Sequence, residues 1–159
     1  EKLTYKIIKK EGPIEIRAYD PYVTMTAKNP RGYGFQTLFR YISGNNDKNQ
    51  QISMTVPVFT DVKEREFIAF TMPKDVVEAG YPEANDPSIK IEKHVGKTYV
   101  SIHFRGLLTQ TQRQLDTLQS YIKDQGLNQI GEPVLLRYQG PLTPPFLRTH
   151  DIMIEIGTL

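Results

Sequence analysis

The feature that most constrains this chain is a repetition of pattern. Two extended runs, one short amphipathic helix and two further extended runs occupy about residues 5–73, and the same order returns over about residues 89–156. A unit of this size buries its apolar face poorly alone and well against a copy of itself. The pattern predicts an α+β fold in which a duplicated β-β-α-β-β unit, related by a pseudo-two-fold axis, builds an antiparallel sheet with one main helix per half. All 159 residues then form a single domain, and a ligand belongs in the cleft between the halves.

In the first copy Ile14, Ile16 and Ala18 alternate with Glu15, Arg17 and Tyr19. After Asp20-Pro21, Val23, Met25 and Ala27 alternate with threonines, so a half-buried hairpin is expected. Asn29-Pro30 reads as a helix entry, Phe35, Leu38, Phe39 and Ile42 form one helical stripe, and Gly44-Asn45-Asn46 ends the helix. A new alternation follows at Ile52, Met54, Val56 and Val58, with Pro57 marking an edge or bulge, and Phe67 to Met72 forms a fourth strand. The segment from Lys74 to Ser88 reads as the connection between copies.

The second copy opens at Ile89 and Ile91 and continues through Thr98, Val100, Ile102 and Phe104, whose alternate positions are Tyr99, Ser101, His103 and Arg105. Thr109-x-x-Gln112 fits a capping box ahead of a helix bearing Leu115, Leu118 and Ile122, with Gly126 as its stop. Val134 to Tyr138 and Ile152 to Ile156 complete the repeat. Between them, the prolines of Gly140-Pro141-Leu142-Thr143-Pro144-Pro145-Phe146 stiffen a loop suited to walling a ligand.

Composition excludes several classes of chemistry. There are no cysteines, hence no disulfide, thiolate nucleophile, Cys-ligated zinc or iron–sulfur cluster. A formal charge of +2 without a basic stripe argues against nucleic acid as partner, and no run of apolar residues is long enough to span a bilayer. The chain opens on Glu1 rather than methionine, so a trimmed terminus is expected and the compartment stays open between cytoplasm and export, as does the oligomeric state. Gly32-Tyr33-Gly34 lacks the third glycine of a dinucleotide fingerprint, and the phosphate-loop, zinc-protease and nucleophile-elbow motifs are missing.

The residues left for function are few. His94 reads as a solvated turn residue; His103, opposite the apolar face of its strand, faces water or lines the groove; His150 reads as structural. No spacing converges on a metal, and His103 and His150 are the axial candidates should iron be bound. The stripe Phe35, Leu38, Phe39, Ile42 either covers a sheet or leaves half its surface for a flat apolar ligand, and Met54 and Met25 either fill the core or line a soft pocket. Arg40 flanks the stripe and Arg148 follows the proline loop; such arginines suit a ligand with an apolar body and carboxylate arms.

Five segments in register resemble the SOUL haem-binding protein family across nearly the whole chain. They are Ile14-Glu15-Ile16-Arg17-x-Tyr19-x-Pro21-Tyr22, Phe35-x-x-Leu38-Phe39-x-Tyr41-Ile42-x-Gly44-x-Asn46, Ile52-x-Met54-Thr55-x-Pro57-Val58, Phe70-x-Met72-Pro73 and Pro141-x-Thr143-Pro144-Pro145-Phe146-x-Arg148. The resemblance implies an antiparallel sheet curled into a distorted barrel with two flanking helices, and haem or another tetrapyrrole as ligand. Where a family member carries an axial histidine in the first hairpin, this chain has Ala18. The resemblance therefore implies a tetrapyrrole carrier or buffer using Phe35, Leu38, Phe39, Ile42 and Met54 for the macrocycle and Arg40 and Arg148 for its propionates. The alternatives are a haem- or porphyrin-modifying enzyme with an open site, and an effector-binding module of the gyrase-inhibitor-like type.

Overall fold

The computed structural model describes residues 2–159. Its elements in chain order are β1 (Tyr5–Glu11), β2 (Ile14–Tyr19), β3 (Tyr22–Lys28), α1 (Gly34–Ile42), β4 (Val58–Asp61), β5 (Phe67–Thr71), α2 (Lys74–Ala79), β6 (Lys90–His94), β7 (Thr98–Arg105), α3 (Thr111–Asp124), β8 (Val134–Arg137) and β9 (Thr149–Ile156). The repeated order is therefore present as β2-β3-α1-β4-β5 and β6-β7-α3-β8-β9, and the class is α+β.

The chain divides into two units. One contains Pro21–His94 and holds the antiparallel strands in the order β4-β5-β3-β6. Helix α1 packs on β3 and β5, and Leu38, Tyr41 and Ile42 join Val23, Met25, Phe70 and Met72 in its core. The other contains Thr4–Asp20 and Val95–Leu159, with strand order β1-β2-β7-β9-β8, again antiparallel. Helix α3 packs on β7 and β9 and buries Leu115, Leu118 and Ile122.

The hairpin expected across Asp20-Pro21 does not form. Strand β2 pairs with β1 and β7, whereas β3 pairs with β5 and β6. The first strand of each repeat is thus built into the unit that holds the rest of the other repeat, and the short links at Asp20-Pro21 and Val95-Gly96 pass from one unit to the other rather than turn hairpins. Strand β2 is consequently covered on both faces: Ile14 and Ile16 are buried on one, Arg17 and Tyr19 on the other. Strand β1, which the alternation did not single out, is the exposed edge beside it.

Several local expectations are refined. Asn29-Pro30 opens a single 3-10 turn over Pro30–Gly32, and α1 starts only at Gly34, whose N–H donates to Asn29 Oδ1 at 3.1 Å. At its other end Asn46 donates to Tyr41 O at 2.8 Å. The capping box at Thr109 is not made, because α3 begins at Thr111 and the Gln112 amide donates instead to Asp116 at 2.9 Å. Gly126, at φ +65°, does end that helix. The connection after Pro73 contains the short helix α2, and the run from Ile52 becomes regular strand only at Val58, past the missing N–H of Pro57. No helix is long and apolar enough to cross a membrane among the described residues.

Gly34 is fixed by close approach. A Cβ there would lie 2.5 Å from Lys28 O and 2.6 Å from Ile68 Cγ2. Gly34→Ala is expected to destabilise the protein by about 1–3 kcal/mol through overpacking, measured by urea unfolding, despite alanine's better helix propensity.

Candidate functional site

Helix α1 divides its apolar stripe between two tasks. Leu38 and Ile42 point into the core at 0% and 5% exposure, while Phe35 and Phe39, one turn apart, remain 43% and 48% exposed. Their rings lie nearly parallel, 6.0 Å between centroids with 12° between planes. Phe35 also meets the buried ring of Phe70 edge-on at 5.4 Å, so the sheet beneath sets its orientation. The result is a flat, water-facing aromatic surface on a rigid support.

The flanking groups give this surface polarity. Arg40 is exposed and forms no ion pair among the described residues. The Asp86 carboxyl sits below its ordinary value chiefly because the Ser88 hydroxyl and N–H donate to it, with the Arg40 field adding to the effect. Tyr41 anchors the helix through its hydroxyl to Pro82 O, and burial pushes that phenol up to about 12. Met54, 42% exposed, lies in the same unit, whereas Met25, Met72 and Met153 are core residues.

Of the residues expected to contact ligand, Phe35, Phe39, Arg40 and Met54 present surface in the first unit, and Leu38 and Ile42 support them from the core. Arg148 belongs to the second unit. Its guanidinium donates to Thr143 O at 2.8 Å and Pro141 O at 3.1 Å, clamping the proline loop from which Leu142 and Phe146 project into solvent.

The histidines fall into three environments. His94 is a packed residue, stacked on Tyr22 at 4.5 Å with Nε2 2.9 Å from Thr24 Oγ1, not the solvated turn residue expected. His150 lies within β9, 3% exposed, with Nε2 3.1 Å from Gly106 O; burial lowers its pKa, leaving a neutral structural ring. His103 lies directly across β7–β9 from Asp151, its Nδ1 2.7 Å from Asp151 Oδ1.

Asp151 is the centre of a buried network that alternation of hydropathy does not reveal. At 1% exposure it also accepts from Arg17 Nη1 at 3.0 Å and from the Tyr138 hydroxyl. Burial alone would raise its pKa, but the bond from His103, the Arg17 charge and the Tyr138 bond together hold the carboxyl below 3.8. Arg17 is completed by Glu15 at 2.8 Å, the Tyr19 hydroxyl at 3.0 Å and the ring of Tyr5, whose centroid lies 4.4 Å from the guanidinium carbon. Burial and the neighbouring Asp151 charge raise the pKa of Tyr138. The only trace of this in the sequence is Arg17 and Tyr19 sharing one strand face and a carboxylate entering the apolar run of β9.

The fold is a duplicated α+β architecture with a half-exposed aromatic pair in one unit and a buried ionic network in the other. The chain matches the family model described as SOUL heme-binding protein over residues 1–155, and it belongs to that family. No protein of curated function matches it. Among solved structures it is similar to a hydrolase from Listeria innocua (9% identity, 94% of each chain covered, TM-score 0.64). It is also similar to the EcmrR C-terminal domain (11% identity, 98% of this chain and 99% of that one, TM-score 0.63). At such identities the likeness is one of fold.

Removing one partner of the buried pair leaves the other charge stranded. Asp151→Ala is expected to cost about 3–5 kcal/mol in urea unfolding. Because the folded carboxyl titrates below its ordinary 3.8, its contribution is complete above that value and is lost as pH falls below it. Stability measured between neutral and strongly acidic pH should decline less steeply in Asp151→Asn than in the natural protein.

Proposed function

We propose that this protein binds a tetrapyrrole on the exposed aromatic face of α1 and acts as a carrier or buffer. The observation that carries the reading is the near-parallel, half-exposed Phe35–Phe39 pair in a chain of the SOUL haem-binding family. A macrocycle requires a flat apolar surface, and its propionates require a cation. Phe35 and Phe39 fit the first need and the exposed Arg40, without an ion-pair partner among the described residues, fits the second. Met54 adds a soft, adaptable contact in the same unit.

Nothing in this unit supplies iron with a ligand by way of histidine, since His94 is held by Tyr22 and Thr24. Binding at the α1 face therefore depends on the macrocycle and its carboxylates, and metal-free porphyrin should be accepted as readily as haem. When bound, haem would bring redox-active iron; the residues of α1 hold and orient the ring only.

The test is a fluorescence titration with metal-free protoporphyrin. Saturable one-to-one binding is expected. Phe35→Ala combined with Phe39→Ala should weaken it by about 1–3 kcal/mol through lost stacking, and Arg40→Ala by about 1–3 kcal/mol through a lost charge-assisted contact. Unchanged affinity in both variants would remove the ligand from this face.

A further inference from the structure

We propose that the proline loop and the turn after β7 together form a surface that docks this protein on an anionic lipid bilayer. The surface is built from residues of the second unit only, so it does not rest on the tetrapyrrole reading.

The two segments meet at their backbones. Arg105 pairs with Thr149 at the end of the β7–β9 ladder, and beyond it the Gly106 N–H donates to Arg148 O at 2.9 Å. The turn that carries Leu107 and Leu108 therefore adjoins the one that carries Phe146 and Leu147. All four side chains are exposed, Phe146 at 66%, and Leu142 earlier in the loop is 98% exposed. Single apolar residues scattered over a surface are ordinary, whereas five large ones on two adjoining turns mark a site of interaction.

The loop keeps its shape from within. Pro141, Pro144 and Pro145 have no N–H to satisfy. The Thr143 N–H donates to Gly140 O at 3.2 Å and the Leu147 N–H to Pro144 O at 2.9 Å, while the Arg148 guanidinium occupies Pro141 O and Thr143 O. Much of the backbone polarity is thus satisfied inside the loop. A segment that enters the border of a bilayer needs this, because little water is there to replace missing hydrogen bonds.

Charge selects the kind of lipid. Residues 104–113 and 137–149 contain four arginines and no Asp or Glu. Arg105 and Arg113 are exposed and, like Arg148, form no ion pair among the described residues. Gln110 ties both to the same turn, donating to Arg105 O at 3.0 Å and accepting from Arg113 Nη2 at 3.4 Å. The next carboxylate along β9, Asp151, is buried and already paired with Arg17. Projecting apolar side chains beside uncompensated guanidiniums match the acyl border and the phosphate headgroups of an anionic bilayer. A folded protein partner fits less well, since it would need a cavity shaped for Leu142, whereas fluid lipid closes around any projecting apolar group.

The experiment sediments the full chain with vesicles of phosphatidylcholine alone and of phosphatidylcholine mixed with phosphatidylglycerol. Binding is expected to the mixed vesicles only, and it should weaken as salt is raised. Leu142→Asn combined with Phe146→Asn changes two side chains that lie outside the core, so the urea midpoint should hold while partitioning falls by about tenfold or more. Arg105→Gln combined with Arg113→Gln should weaken partitioning by roughly tenfold and flatten its salt dependence. Binding to neither kind of vesicle, equal binding to both, or unchanged partitioning in the Leu142 and Phe146 variant overturns the inference. Loss of metal-free protoporphyrin binding in that variant, with vesicle binding intact, overturns it as well and assigns the loop to the tetrapyrrole.

Discussion

Strand exchange between the repeats is the constraint from which the rest follows. Strand β2 of the first repeat is the neighbour of β7, and β6 of the second is the neighbour of β3. Each unit therefore buries residues from both repeats, and neither repeat contains all the strands of its own unit. This is why Arg17 and Asp151, 134 positions apart in the chain, form a 3.0 Å ion pair. It is also why Arg17, on a face that alternation assigns to solvent, is 3% exposed.

A buried charge pair of this kind is costly to assemble and more costly to break. Here the cost is offset by several hydrogen bonds: Asp151 receives three donors, and Arg17 is shared among Glu15, Tyr19 and Asp151. The same bonds that satisfy the carboxylate orient His103. One carboxylate thus serves both the interior, as the partner of Arg17, and the surface, where it holds the half-exposed His103 ring in place.

The α1 face works by a different division. A helix lying on a sheet needs only part of its apolar stripe for the core, and Leu38, Tyr41 and Ile42 supply that part. Phe35 and Phe39 stand at the margin of the stripe, where hydrophobic area is in excess of what packing uses. Periodicity located all four stripe residues but left open which of them cover the sheet and which face water, because a helical wheel gives direction relative to the axis and not the depth of the neighbouring sheet.

The sequence by itself determined the α+β class, the repeated order of elements, the helix stops at Gly44 and Gly126, and membership of the family, because these depend on local periodicity, turn chemistry and short motifs in register. Tertiary structure alone decided which strands pair, that Asp20-Pro21 passes between the two units, that Arg148 clamps its own loop, and that Asp151 holds His103. Hydropathy alternation reports whether a strand has two unlike faces, and it reports nothing about which distant strand covers the polar one. Charged residues look solvated to any local rule, and only the pairing of β2 with β7 and of β7 with β9 brings Arg17, Asp151 and His103 within hydrogen-bond distance.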